Sequence, residues 1–150
     1  MDPLLVADRL ELRDLVDGYA RAADGGDRAA LEALFLPDAT LTVRRPDAEP
    51  HTYEGAAALG EIVPRLGRYA RTFHLVANHW CTVNGDAATG EAYCEAHHVR
   101  TDGSSATDVV LTICYVDAYA RTTDGWRFAS REVQILWTHE VPLVQFSARR

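Results

Sequence analysis

The chain has 150 residues, 47% of them apolar, with 22 acidic residues against 15 basic ones and a formal net charge of -7. That length and apolar content suit one domain with a core of its own, and a single domain over 1-150 is expected. Every basic residue is Arg, so lysine Schiff-base chemistry and the P-loop lysine are excluded, and an acidic chain without a basic stripe does not suit a nucleic-acid backbone. No apolar run approaches the ~18 residues of a membrane span and Met1-Asp2-Pro3 does not resemble a signal peptide, so a cytoplasmic location without a membrane partner is expected.

Leu10, Leu12, Leu15, Val16, Tyr19 and Ala23 recur at three and four residues and predict a first helix. Asp8 with Glu11 has the form of a capping box, and Asp2-Pro3 offers an earlier start. Asp24-Gly25-Gly26 should end the helix, and Asp27 should cap a short second one running through Leu34-Phe35. Ala39 to Arg44 alternates like a strand, Arg45 to Pro50 reads as a proline-rich loop, and Gly55 to Leu66 as a third helix interrupted near Pro64.

From Thr72 the period changes. Turn signals at Asn84-Gly85, Thr101-Asp102-Gly103-Ser104 and Thr123-Asp124-Gly125 divide the rest into strands at Thr72 to Val83, Ala87 to Arg100, Thr107 to Arg121 and Trp126 to Thr138. Helices followed by an antiparallel meander predict an α+β fold with the helices gathered on one face of the sheet. Both faces of the strands carry apolar residues, which suggests a second covering and makes a homodimer the expected assembly. The cysteines Cys81, Cys94 and Cys114 are an odd set on strands, read as buried thiols in a reducing compartment.

Asp24 stands at the C-terminal end of a helix, where the macrodipole disfavours a carboxylate. It is either a turn residue tolerated before two glycines or an acid aimed at a partner, and Tyr19 lies near the same inward face. His74 follows Phe73 on a strand face that, by strict alternation, also carries Asn78 and Trp80. Alone it reads as a hydrogen-bonded core residue. Facing a carboxylate it reads as a base, because the carboxylate fixes the imidazole tautomer and stabilises the cation formed when the other nitrogen takes a proton from carbon.

His97 and His98 are adjacent on one strand and point to opposite faces, so one of them should meet an enclosed cavity; which one stays open. Tyr93, Tyr115, Asp117 and Tyr119 read as packing and cross-strand residues, with tyrosine hydroxyls available to orient a substrate oxygen. Arg131 shares its face with Val133, Ile135 and Trp137, so it must be paired or line a polar pocket, and both readings stand. His51, His79 and His139 read as structural. Cys94-Glu95-Ala96-His97 is half of a metal site without a second half, so no metal is expected, and no motif supports dinucleotide binding, serine hydrolysis or zincin hydrolysis.

These residues together resemble the SnoaL-like branch of the nuclear-transport-factor-like superfamily, the cystatin-like cone. The matching string is Tyr19 with Asp24, Phe35-Leu36-Pro37-Asp38-Ala39, Tyr53-x-Gly55, His74 with Asn78, Gly85-Asp86-Ala87-Ala88, Tyr93-Cys94-x-x-His97-His98, Tyr115-x-Asp117, and Gly125-Trp126-Arg127 leading to Arg131. The resemblance implies a curved, mainly antiparallel sheet forming a cone, with three N-terminal helices on its concave face. It implies a cofactor-independent, metal-free dehydratase or cyclase, a lyase or isomerase of polyketide or other secondary metabolism acting on a small hydrophobic, ring-bearing substrate.

In dehydratase and dehydrochlorinase members an aspartate ending the first helix and a histidine on the sheet form the working pair, which falls here on Asp24 and His74. The second catalytic histidine falls on His98, or on His97 after a one-residue slip, and Tyr19 takes the place of a substrate-orienting tyrosine. Asn78, Trp80, His97, Tyr115 and Arg131 are the expected substrate-binding residues. Cys114 stands before Tyr115 where many relatives carry Arg, and the Asp-Arg-Asp triad of epoxide-opening members is not evident. The competing reading is a non-catalytic small-molecule-binding or scaffold module of the same fold.

Overall fold

In the computed structural model, which describes residues 2-147, helix α1 (Pro3–Gly25) takes the earlier of its two candidate starts. The Asp2 side chain accepts a hydrogen bond from the Leu4 amide at 3.0 Å, and Pro3 occupies a position whose amide would have no helical acceptor. Asp8 is therefore not a cap. It lies mid-helix and buried, accepting both guanidinium nitrogens of Arg121 at 2.7 and 2.8 Å and the indole N–H of Trp126 at 3.1 Å. Leu12, Leu15, Val16, Tyr19, Ala22 and Ala23 form the buried face, whereas Leu10 turns outward. Gly26 closes the helix at φ 68°, a left-handed conformation that glycine adopts without strain.

Helix α2 (Arg28–Ala33) is capped by Asp27, whose carboxylate accepts from the Ala30 amide at 2.9 Å. Strand β1 (Phe35–Arg45) then turns into β2 (Ala48–Glu54), so the predicted proline-rich loop is largely an edge strand. Only Tyr53 of β2 is buried, which is why no alternation of hydrophobicity announced it, and Pro50 is tolerated because edge positions need no ladder amide. The expected third helix is two short ones, α3 (Ala56–Leu59) and α4 (Ile62–Leu66), parted at Gly60-Glu61.

Strands β3 (Arg71–Asn84), β4 (Ala87–Asp102), β5 (Ser105–Thr122) and β6 (Gly125–Leu143) follow as the antiparallel meander. The sheet order is β2-β1-β6-β5-β4-β3, and the one parallel pairing, β1 on β6, brings the end of the meander back against the first strand. Phe35 stacks on Phe128 across that junction with centroids 4.8 Å apart. The fold is thus α+β, with a mixed, mainly antiparallel six-stranded sheet and α1 laid against its inner face, chiefly over β3.

The inner face of β4 carries Ala88, Gly90, Ala92, Cys94 and Ala96, small residues that leave room for large neighbours. A side-chain carbon on Gly90 would lie 2.8 Å from the Trp80 carbonyl and 3.0 Å from the Tyr119 ring. The outer face exposes Phe73, Leu75, Trp80, Tyr93 and Trp137. Cys81, Cys94 and Cys114 are free thiols, and burial pushes the Cys94 thiol up to about 11, which keeps it protonated and unreactive.

Two of the sheet's bulges turn outward side chains that strict alternation would place inside. The β3–β4 register shifts between Val76 and His79, so the inward positions change from Thr72, His74 and Val76 to His79, Cys81 and Val83. A second shift, opposite Thr112/Ile113 on β5, leaves Leu136 unpaired and turns Trp137 outward, away from the face of Val133 and Ile135.

Candidate active site

Asp24 lies in the last turn of α1, and every partner of its carboxylate comes from β3. Oδ1 accepts from the Thr72 hydroxyl at 2.9 Å and meets His74 Nδ1 at 2.7 Å, while Oδ2 accepts from the His74 backbone amide at 2.8 Å. Burial alone would raise the Asp24 pKa, but the His74 ring, the His74 amide and the Thr72 hydroxyl outweigh it and hold the carboxyl below its usual range. At neutral pH the group is an anion facing Nδ1, so the tautomer with hydrogen on Nδ1 is favoured and Nε2 is left with its lone pair. The His74 side chain is 6% exposed.

His74 forms part of the wall of a cavity of about 200 Å³. Tyr19, Tyr115 and His98 join it at the inner end, Leu41, Val43, Leu111, Ile113, Val133 and Ile135 supply apolar walls with the buried Tyr53, and Arg45, His51 and Arg65 stand toward solvent. An engineered apolar cavity of about 150 Å³ in another protein holds benzene, so this space suits one substituted ring. The His98 ring is 5.6 Å from His74 and 4.7 Å from Tyr69 between centroids, and its buried Nε2 has no hydrogen-bond partner. Burial first, then the neighbouring His74 and Arg45, push His98 down to about 4, against the weaker pull of Asp24 and Asp108. It is a neutral imidazole at cellular pH. Burial likewise raises the Tyr19 phenol to about 12, so it is a hydroxyl and not a phenolate.

Arg131 does not line this cavity. Its side chain is fully buried and donates from Nε and Nη2 to the two Asp117 oxygens at 2.8 and 2.7 Å. Tyr19, Tyr115 and Phe128 pack over the guanidinium at 4.3, 4.1 and 4.3 Å from their centroids. Arg131 is thus paired, and the aromatic rings separate it from the cavity of His74.

Asn78 and Trp80 leave the face of His74 at the β3 bulge, and Trp80 is 51% exposed on the outer side, edge-on to Tyr93 at 5.2 Å. Those two expected substrate contacts are corrected: they lie outside the cavity. His97 also faces outward, its Nδ1 2.6 Å from Asp108, so the open choice between the paired histidines falls to His98. His79 turns inward instead, with Nε2 3.3 Å from the Tyr119 hydroxyl, which itself donates to Asp117. Arg45, His51 and Arg65 were not singled out as cavity residues. The only local signal was the alternation Leu41, Val43, Arg45, which continues the inward face into the supposed loop.

An α+β cone with a histidine-lined cavity at the end of its first helix defines the nuclear-transport-factor-like, cystatin-like class of fold. The SnoaL-like domain matches residues 5–132, and the chain belongs to that family. A protein of Mycobacterium tuberculosis, itself uncharacterized, is 28% identical over 127 residues, 84% of each chain. Among solved structures, a candidate scytalone dehydratase from Novosphingobium aromaticivorans superposes with a TM-score of 0.80 at 20% identity, covering 93% of this chain and 91% of that one. A type 2 hexachlorocyclohexane dehydrochlorinase gives 0.79 at 19% identity over 95% and 94%. An NTF2-like protein with a cystatin-like fold, also from Novosphingobium aromaticivorans, gives 0.67 at 26% identity over 88% and 84%. These likenesses show the fold, and the fold is shared with dehydratases and dehydrochlorinases. Among the described residues no helix is long and apolar enough to cross a membrane, and no group of three or more His, Cys, Asp or Glu side chains is placed to hold a metal ion.

Proposed function

We propose that the protein is a cofactor-independent lyase or isomerase that removes a proton from carbon on a small, ring-bearing molecule and drives a dehydration or a cyclisation. The observation that carries this reading is the 2.7 Å contact between Asp24 and His74 at the edge of an otherwise largely apolar cavity. His74 Nε2 takes the proton, and the electron pair of the broken C–H bond forms the new double bond or attacks the ring-closing carbon. Asp24 holds the tautomer and stabilises the imidazolium. In a dehydration the hydroxyl leaves as water with the proton of the Tyr19 phenol, neutral His98 donates only a hydrogen bond to that oxygen, and the proton taken by His74 returns to Tyr19 through solvent. Secondary metabolism, polyketide chemistry above all, is the setting in which we place the substrate.

The test uses solvent exchange, which needs only the first step. A panel of cyclic ketones is incubated with the protein in heavy water and deuterium incorporation beside the carbonyl is followed by NMR. The wild type should exchange at least one member well above background, and Asp24→Asn and His74→Gln should each lower that rate by about 10²–10⁴-fold, the usual contribution of a positioned base. Exchange in both variants at the wild-type rate would refute the assignment to this pair, and no exchange above background by the wild type on any member would favour the non-catalytic binding module.

A further inference from the structure

We infer that the cavity's ligand carries an anionic group, a carboxylate or an acid of similar shape, held at the mouth by Arg45 and Arg65. The inference rests on the proposed reading of the same cavity as a reaction site, and adds the substrate class.

The first support is the distribution of charge. The chain holds 22 acidic residues and is net negative, yet none of the residues lining the cavity is Asp or Glu, while Arg45 and Arg65 are both there. The carboxylate of Asp24 stands behind His74 with both oxygens already engaged by β3. A cationic ligand would find no counter-charge on the wall.

The second is that these two guanidinium groups are uncommitted. Arg13, Arg28, Arg44, Arg100, Arg121 and Arg131 each meet a carboxylate within 4 Å, whereas among the described residues neither Arg45 nor Arg65 is in an ion pair. Arg9, Arg21, Arg68 and Arg127 are likewise outside these ion pairs, and what sets Arg45 and Arg65 apart is that both stand on the wall of one cavity. Arg65 is also oriented without a carboxylate, its guanidinium lying 5.3 Å from the centroid of the Tyr53 ring at the same wall. A planar fork held flat in this way is suited to a two-oxygen acceptor.

The third is polarity along the cavity. The acid–base pair is at the buried end, the middle is aliphatic, and the arginines, on the end of β1 and on α4, are exposed at the mouth. A ring placed in the apolar middle presents its reacting C–H to His74 and an acidic substituent on the far side to the arginines. Charge held at the mouth fixes the order in which the molecule enters, because the opposite orientation would bring a carboxylate to the buried end, toward the Asp24 anion behind His74 and away from both guanidinium groups.

The test compares 4-hydroxybenzoate with its neutral isostere 4-hydroxybenzamide by titration calorimetry on the wild-type chain, on Arg45→Gln/Arg65→Gln, and on Arg68→Gln as a surface-charge control outside the cavity. The wild type and Arg68→Gln should bind the carboxylate about tenfold or more tightly than the amide. That preference should shrink as salt is raised, and it should vanish in the double variant, whose circular dichroism is checked first. Equal affinity for the two probes, a preference that survives in the double variant, or no carboxylate binding at millimolar concentration would each overturn the inference. Neither probe has to react, so Asp24→Asn should keep the preference. A carboxylate preference without deuterium exchange on any ketone, acidic ones included, would refute the reaction and leave the anion site standing; exchange without the preference would do the reverse.

Discussion

Among the aspartates that hold a basic side chain, Asp117 and Asp24 are opposites. Asp117 and Arg131 face one another on β5 and β6, both side chains without exposure, with Tyr119 donating a further hydrogen bond and three aromatic rings packed over the guanidinium. Asp117 holds Arg131 in its charged form against burial, and Arg131 has no proton to give. Asp24 and His74 join a helix end to a strand, and the imidazole opens onto a cavity. The first pair has no exposed side-chain surface and a partner that does not titrate; the second opens onto a cavity and has a partner able to carry a proton. A buried carboxylate with a basic partner is therefore no mark of catalysis by itself.

The sealed pair should be the costlier to break. Arg131→Leu leaves Asp117 buried without its counter-charge, and chemical denaturation should show a loss of about 3–5 kcal/mol. A loss below about 1 kcal/mol would mean that the aromatic packing, and not the charge pairing, holds this region together.

The buried end of the cavity should show itself through pH. The folded state lowers the His98 pKa from 6.5 to about 4, so the unfolded chain binds the proton first as the solution is acidified. The neutral form's advantage is complete above pH 6.5, and stability drains away between about 6.5 and 4 and levels off below. Over that window the wild type should lose about 3 kcal/mol more than His98→Gln, measured by denaturant titration at several pH values. Parallel profiles for the two chains would refute the burial account of His98.

The smallest effect belongs to Thr72, which lends Asp24 a hydroxyl proton at 2.9 Å. Thr72→Val should cost about 1 kcal/mol and raise the pH at which the carboxyl protonates, seen as a shift of the Asp24 carboxyl resonance in NMR titration. An unchanged titration would show that the two contacts from His74 suffice.

The helices and the meander were legible because their signals are local. The three- and four-residue spacing in α1 is written in Leu12, Leu15, Val16 and Tyr19, and the turns at Gly85, Gly103 and Gly125 all hold glycines with positive φ, at 61°, 57° and 100°. The pairing of Asp24 with His74 could be expected from a resemblance, since the two are 50 residues apart. The bulges were not legible. Neither Ala77-Asn78 nor Leu136 contains a glycine or proline to mark an extra residue, yet each inverts every position beyond it, which is why Asn78, Trp80 and Trp137 were assigned to the wrong face. A third shift, between Ala118 and Tyr119 on β5, places Arg131 and not Ser130 opposite Asp117. The choice between a paired and a pocket-lining Arg131 was thus hidden in a single unpaired residue.

The contacts of α1 with β3 have a further consequence, for the behaviour of the protein in concentrated solution. β3 is the terminal strand of the sheet, with its outward row of backbone groups unpaired by any other strand. Asp24 takes the amide of His74, and Arg13 donates to the carbonyls of Val76 and Ala77, so one helix blocks this edge at two places. An open edge flanked by Phe73 and Leu75 is the kind of template on which chains add to one another as extra strands. The carboxylate proposed for the chemistry thus also covers part of this edge, and replacing it with a residue that has no acceptor should raise the chain's tendency to self-associate.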